Sequence, residues 1–320
     1  MATIRVKTDY PTISEAVAAA YPGDIICVEN GIYPESIVTS KDNIGIVGGR
    51  HTVLNGGFSL DSAFTFNGTH RFRLESLIIL NYNQSGVTIN GGVDNIVTGV
   101  KISDCMKSGI ALLGAGNSLI NCSEISGAGE YGIYARNADG LRIEKNRIIS
   151  CYPGGIYSES AGLTPVLIRN NELCLNIGAG LYASGPGTAL ACNMADSNLG
   201  NGITVVNGVE CAVIENTSSG NSKNGILIES GSASVIKNRA LSNENDGIII
   251  NSGVSVRDNN IHRNKNNGLS VYGTKNTVEG NQITENAVYD ILRARPDNYF
   301  ESNNYNTSNP RDLNSSGPHL

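Results

Sequence analysis

Residues 221–251 read NSKNGILIESGSASVIKNRALSNENDGIIIN, and the same marks come round twice within them. Asn221 stands four residues before Gly225-Ile226, and Asn243 stands four before Gly247-Ile248. Each glycine opens an aliphatic run, Ile226 to Ile228 or Ile248 to Ile250, and a further apolar run, Val235-Ile236, ends close to Asn238. Runs this short, separated by Gly, Asn and Ser, read as strands and turns. A period of 22 residues (247 − 225) that holds three such strands has no room for a helix of ordinary length.

Working outward, the Gly-aliphatic pair recurs at Gly86, Gly109, Gly132, Gly155, Gly180 and Gly202 before this stretch and at Gly268 after it, with Asp290-Ile291 in the next place. Successive spacings from Gly86 to Gly268 are 23, 23, 23, 25, 22, 23, 22 and 21. One Asn series keeps step at Asn176, Asn198, Asn221, Asn243, Asn264 and Asn286, where earlier repeats carry Cys105, Ala128 and Cys151. A second runs through Asn146, Asn171, Asn193, Asn216, Asn238, Asn259 and Asn281. With one short unit as the period, each strand must hydrogen-bond its counterpart in the next unit, in parallel, which makes the chain an all-β parallel β-helix. Coils stacked about 4.8 Å apart pair their backbones and bury an inner column of Ile, Val and Leu that no single coil could hide. Like residues then form ladders, and an Asn in a tight turn is expected to take the left-handed conformation while its amide bonds the amide one coil on.

At the N-terminus, Thr12-Ile13-Ser14-Glu15 is a capping box that opens a short helix over Ile13 to Ala20. Such a cap closes the open end of a solenoid. The expected organisation is one β-helix domain over 1–320: cap and first strand at 1–33, coils at 34–296, and a C-terminal cap and tail at 297–320. About ten coils would give a rod on the order of 50 Å long.

Composition excludes several classes. The chain has 38 Gly and 40 Asn among 320 residues, which argues against a helical protein, while 40% hydrophobic content is enough for a core. A net charge of −6 argues against nucleic acid as a partner, and no run of eighteen apolar residues is present to insert in a membrane. Met1 to Arg5 lacks the pattern of a secretory leader, so the chain is cytoplasmic, trimmed of a leader, or carried outside as part of a virion. Seven cysteines without metal or redox spacing read as small buried hydrophobes.

The opening Thr12-Ile-Ser-Glu-Ala-Val17, then Pro22-Gly-Asp-Ile-Ile26 and Asn30-Gly-Ile-Tyr-Pro-Glu35, resembles the cap and first coil of the pectin-lyase-like right-handed β-helix superfamily. The later Asn-rich, Gly-Ile repeats look like those of its carbohydrate-binding and sugar-hydrolase branch. The resemblance spans nearly the whole chain and implies a single-stranded right-handed solenoid that acts on, or binds, long polysaccharides. The aspartate motifs of pectin methylesterases, the Asn-Thr-Asp, Asp-Asp and Gly-His-Gly elements of polygalacturonases, and the Asp-rich signature of alginate epimerases do not occur here. Gly31, Tyr33 and Glu35, which match the Gly-x-Tyr-x-Glu element of pectin methylesterases, therefore read as a structural turn.

Strand alternation turns the second residue after each repeat glycine outward. Tyr134, Tyr157 and Tyr182 then share a column on which sugar rings can pack, with Arg136 and Glu159 beside it. Arg142, Lys145, Arg147 and Arg169 add positive charge on neighbouring faces. The expected site has Arg136 neutralising a uronate carboxylate, Tyr157 or Glu159 moving a proton, and Tyr134, Tyr182, Arg142 and Arg169 binding substrate. The reaction would be that of a lyase, epimerase or hydrolase. No cofactor is expected; calcium would need carboxylates from adjacent coils. His51, His70, His262 and His319 share no slot. The alternative is a noncatalytic structural or adhesive rod of the cell-surface or tail-spike kind, which oligomerises through the outward apolar residues Val206, Leu227 and Ile249.

Overall fold

The computed structural model describes residues 2–162 and 164–309. The chain divides into two compact units, residues 1–167 and 168–320. Both follow one plan: each coil contributes one strand to each of three parallel sheets.

The first unit begins with a strand that the sequence reading lacked, Thr3–Val6, which pairs in parallel with Ile25–Val28. Between them lies the helix Ile13–Ala19, capped by Ala20 at its C-terminal end. The Thr12 hydroxyl accepts the Glu15 N–H at 3.1 Å, as a capping box requires. The other first-turn donors find a partner further along the chain, since the Glu35 carboxylate accepts the N–H groups of Ile13 (3.0 Å) and Ser14 (2.9 Å). Tyr33 donates to the Glu29 carbonyl. These contacts give Glu35 and Tyr33 structural roles at the first coil.

The sheet that carries the Gly-Ile strands contains, in this unit, Ile37–Thr39, Phe64–Asn67, Val87–Asn90, Ile110–Leu113, Ile133–Arg136 and Ile156–Glu159. Ile110, Ile133 and Ile156 stack inward with no exposed surface. Each is worth about 1.5–3 kcal/mol of burial. The repeat glycine answers a lack of space: a Cβ on Gly132 would come within 2.2 Å of Ile148 Cγ2.

The second unit carries two uninterrupted Asn ladders. Oδ1 of Asn243 accepts both the backbone N–H (3.1 Å) and the side-chain amide (2.9 Å) of Asn221, and Asn264 serves Asn243 in the same way. The other ladder runs Asn171, Asn193, Asn216, Asn238, Asn259, Asn281, with each Nδ2 after the first also reaching a backbone carbonyl of an earlier coil, as Asn238 reaches Val213 at 2.7 Å. The left-handed residue is not the Asn but its predecessor: Lys237 (φ 54°), Ser242 (54°), Asp258 (55°) and Arg263 (58°) precede Asn238, Asn243, Asn259 and Asn264. The predecessor turns the chain, and the Asn amide supplies the hydrogen bonds that the turn interrupts.

Among the described residues the strands make about thirteen turns, against about ten expected. The early coils lack the Gly-Ile mark, and residues 298–309 form a further coil of Asn298–Glu301, Asn304–Tyr305 and Ser308–Asn309. There the Asp290 carboxylate takes four N–H groups, from the backbone and side chain of Asn286 and from the backbones of Asn306 and Thr307, and so ends the ladder.

Candidate functional site

In the first unit the outward column of the Gly-Ile sheet is Val38, Thr65, Thr88, Ala111, Tyr134 and Tyr157, each in register with the next. Small side chains at Thr65, Thr88 and Ala111 leave a floor, and a wall rises beside it from Asp61, Gln84, Lys107 and Glu130. These four are fastened to one another by backbone hydrogen bonds, Gln84 to Asp61 (2.6 Å), Lys107 to Gln84 (3.2 Å) and Glu130 to Lys107 (3.3 Å). Leu113 stands on the opposite side. Together they enclose a groove of about 480 Å³ that ends at Tyr134. The Lys107 ammonium makes no ion pair among the described residues, and Ser108 donates to Glu130 at 3.4 Å.

At the tyrosine end three rings pile together. Tyr134 and Tyr157 stack with centroids 5.1 Å apart and planes at 19°. Tyr131 lies 5.1 Å from Tyr157 and 5.8 Å from Tyr134. The Tyr157 phenol donates to Glu159 Oε2 at 2.9 Å, and Arg136 Nε stands 3.7 Å from the same oxygen. With side chains 57% and 34% exposed, the Arg136–Glu159 pair is loose, worth no more than about 1 kcal/mol, and free to exchange for a ligand carboxylate. Arg136, Tyr157, Glu159 and Tyr134 thus come together.

The other expected residues belong to further strands. Arg142 occupies a strand of a different sheet, where its Nε meets Glu144 at 2.8 Å. Arg147 similarly faces Glu124 at 3.8 Å, so the positive charges of Arg142 and Arg147 are met by carboxylates. Tyr182 and Arg169 belong to the second unit, both half-buried; Tyr182 is in register with Thr204. Of the expected interface residues, Leu227 and Ile249 are register partners while Val206 occupies a separate column, and all three are half-buried. The exposed apolar side chains of that unit include Ile177 (50%) and Leu199 (57%).

The cysteine reading needs correction. Cys105, Cys151 and Cys211 are buried, but Cys122 and Cys192 are exposed at left-handed turn positions. Burial pushes the Cys105 thiol up to about 12 and that of Cys151 up to about 11. Burial, reinforced by nearby Arg263, lowers His262 from its ordinary value. His319 lies outside the described residues. Among those residues no group of three or more His, Cys, Asp or Glu is disposed to hold a metal ion, and no helix is long and apolar enough to cross a membrane.

Sequence reasoning missed Tyr131 and the wall. A signal existed: Gln84, Lys107 and Glu130 each stand two residues before a repeat glycine, so the wall was a column written at the chain's own period.

Comparisons with known proteins agree with this architecture. The sequence matches the family described as a right-handed β-helix region over residues 50–191 and 162–305. No curated protein matches it significantly. Its fold is similar to that of the catalytic unit of an α-1,3-glucanase from Streptomyces thermodiastaticus (TM-score 0.70, 14% identity, covering 99% of this chain and 71% of that one). It is also similar to a mannuronan C-5 epimerase A-module of Azotobacter vinelandii (TM-score 0.58, 16% identity, 92% and 91% covered). A surface adhesin of Streptococcus pneumoniae shares the fold as well (TM-score 0.63, 13% identity, 88% and 87% covered). At these identities the likeness is one of fold.

Proposed function

This chain belongs to the right-handed β-helix family, and we propose that it binds an extended polysaccharide in the groove of its first unit and modifies a uronic acid ring at the tyrosine end. The observation that carries this reading is the junction of a 480 Å³ groove with three clustered tyrosines and a loose Arg136–Glu159 pair. A sugar presents hydroxyls around its edge and C–H bonds on its faces. The groove offers Thr65, Thr88 and the wall to the former and Tyr134 to the latter. The structural neighbours include proteins whose names place them on glucan and mannuronan, which supports a glycan ligand.

In this reading Arg136 leaves Glu159 to pair with the uronate carboxylate, which acidifies the ring C–H beside it. The freed Glu159 carboxylate takes that proton, and Tyr157, already held at 2.9 Å, donates its phenol proton. Delivery of the phenol proton to the glycosidic oxygen, as the C–O bond breaks and a C=C bond forms, is elimination. Delivery of a proton from solvent to the opposite face of the ring carbon is epimerisation. Arg142, on a different sheet, and Tyr182 and Arg169, in the second unit, take no part in this step. Titration with alginate, pectin and glycosaminoglycan chains, followed by ultraviolet absorbance for the new double bond and NMR for inverted centres, tests the reading. Arg136→Ala is expected to weaken uronate binding at least tenfold. Full binding by that variant, or no binding by any chain, would remove the proposal.

A second reading rests on Ile177 and Leu199, exposed by 50% and 57% in the second unit: a noncatalytic adhesive or structural solenoid that self-associates through apolar outward residues, Val206, Leu227 and Ile249 among them. Sedimentation separates the two, since a monomer that binds glycan supports the first and a glycan-indifferent oligomer the second.

A further inference from the structure

The groove is asymmetric along its length. From Thr65 through Thr88 to Ala111 the floor is built of short side chains, and Tyr134 is the next residue in the same column. Tyr134 is not an isolated ring that a ligand could push aside. Tyr131 and Tyr157 pack against it, and Tyr157 is pinned in turn by Glu159. In the other direction no ring stands in the column: Val38, its preceding residue, lines a separate depression of about 260 Å³ between the helix Ile13–Ala19 and the strand Ile37–Thr39. The groove lining includes Tyr134 but stops there.

From this geometry we infer that the groove is single-ended and receives a chain terminus, whose last ring abuts Tyr134 while the rest of the glycan leaves over Thr65 and Val38. The inference rests on the glycan-binding reading above and adds its mode, recognition of an end rather than of a chain interior. Three coil steps separate Thr65 from Tyr134, about 14 Å, and an extended pyranose advances by roughly one step, so about three rings fill the groove and a fourth reaches the hollow over Val38. Lys107, without an ion pair among the described residues, lies one coil before Tyr134 and is placed to meet an acidic group on the penultimate ring. The terminal ring keeps its hydroxyls within reach of Glu130 and of the Tyr134 phenol, which bonds no other described residue.

The experiment uses oligogalacturonates and oligomannuronates of two to eight rings, each free, capped at the reducing end with a bulky fluorophore, or blocked at the non-reducing end with a bulky ether. Affinity is expected to rise to three or four rings and then level off. One of the two caps should weaken binding at least tenfold, and the other should be tolerated. Tyr134→Phe is expected to keep this discrimination and Tyr134→Ala to lose it. Because Tyr134→Ala also removes packing from the ring cluster, Thr88→Tyr supplies an independent check, since a block in mid-floor should shorten the plateau by about two rings. Affinity that climbs through eight rings with neither cap mattering overturns the inference while leaving glycan binding intact. So does discrimination that survives Tyr134→Ala. Failure of every oligomer to bind overturns both this inference and the reading on which it rests.

Discussion

At one turn of the coil the two units solve the same problem with different side chains. In residues 168–320 the slot holds Asn176, Asn198, Asn221, Asn243, Asn264 and Asn286, and each buried amide serves its neighbour. In residues 1–167 the slot holds Tyr82, Cys105, Ala128 and Cys151, which pack as apolar filler. The amide ladder fixes register and demands near-identity from coil to coil. The filler tolerates variety. The groove, its wall and the tyrosine cluster occur in the tolerant unit, where the outward column varies from Thr to Ala to Tyr. The comparison teaches that regularity here marks support, and departure from it marks the surface with chemistry to offer.

The strongest way to break this contrast is at the end of the ladder. Asp290→Ala strands three backbone N–H groups at once and takes one acceptor from the Asn286 amide, and is expected to cost about 3 kcal/mol or more, read as a drop in the denaturation midpoint. A midpoint unchanged by the substitution would show that the terminator carries no weight. Next, Asn243→Ala leaves the buried Asn221 N–H without an acceptor, about 1–3 kcal/mol. Cys151→Ala, which deletes only a thiol from the filler slot, should cost less, and equal losses for the two would erase the distinction drawn here.

Alkaline pH sharpens it further. Burial raises the pKa of Tyr82, Cys105 and Cys151 in the folded state, to about 12 for Cys105 and about 11 for Cys151 against an ordinary 9.0. The neutral thiol is the form that the fold holds. Its contribution is complete below pH 9, where unfolded thiols are also protonated, and falls as the pH rises from 9 towards 11 and 12 while only the unfolded chain ionises. Hydrogen exchange above pH 9 is therefore expected to loosen residues around Cys105 and Cys151 before the Asn ladder. Loosening in the reverse order would count against the assignment. The smallest effect belongs to Arg136→Ala, which should alter stability by no more than about 1 kcal/mol, because its pair with Glu159 is exposed. A large loss would make Arg136 a structural residue and weaken its proposed role.

The fold was legible because its determinants are periodic. Gly225 and Gly247, with Asn221 and Asn243, are fixed by backbone spacing and by space, and both are local properties that a single chain displays. The count of turns was less so, since Phe64 and Asn298 occupy coil positions without the usual mark. Of the candidate site, the meeting of Arg136, Tyr157 and Glu159 follows from register alone. The groove did not, because its shape depends on short residues such as Ala111, whose contribution is the volume they leave empty. The charge balance was equally hidden. Arg142 and Glu144 lie two residues apart on one strand, and only a rotamer decides that they meet.

Asp290 has a consequence for how such a chain can change its length. Every rung from Asn198 to Asn264 donates to the side-chain oxygen of the next rung, and the Asp290 carboxylate takes the donors of the last, Asn286. A whole period could be duplicated or excised upstream and each amide would still find its mate. Heredity and the protein engineer are thus offered a molecule extensible in units of one coil, provided that the stop at Asp290 is copied only once.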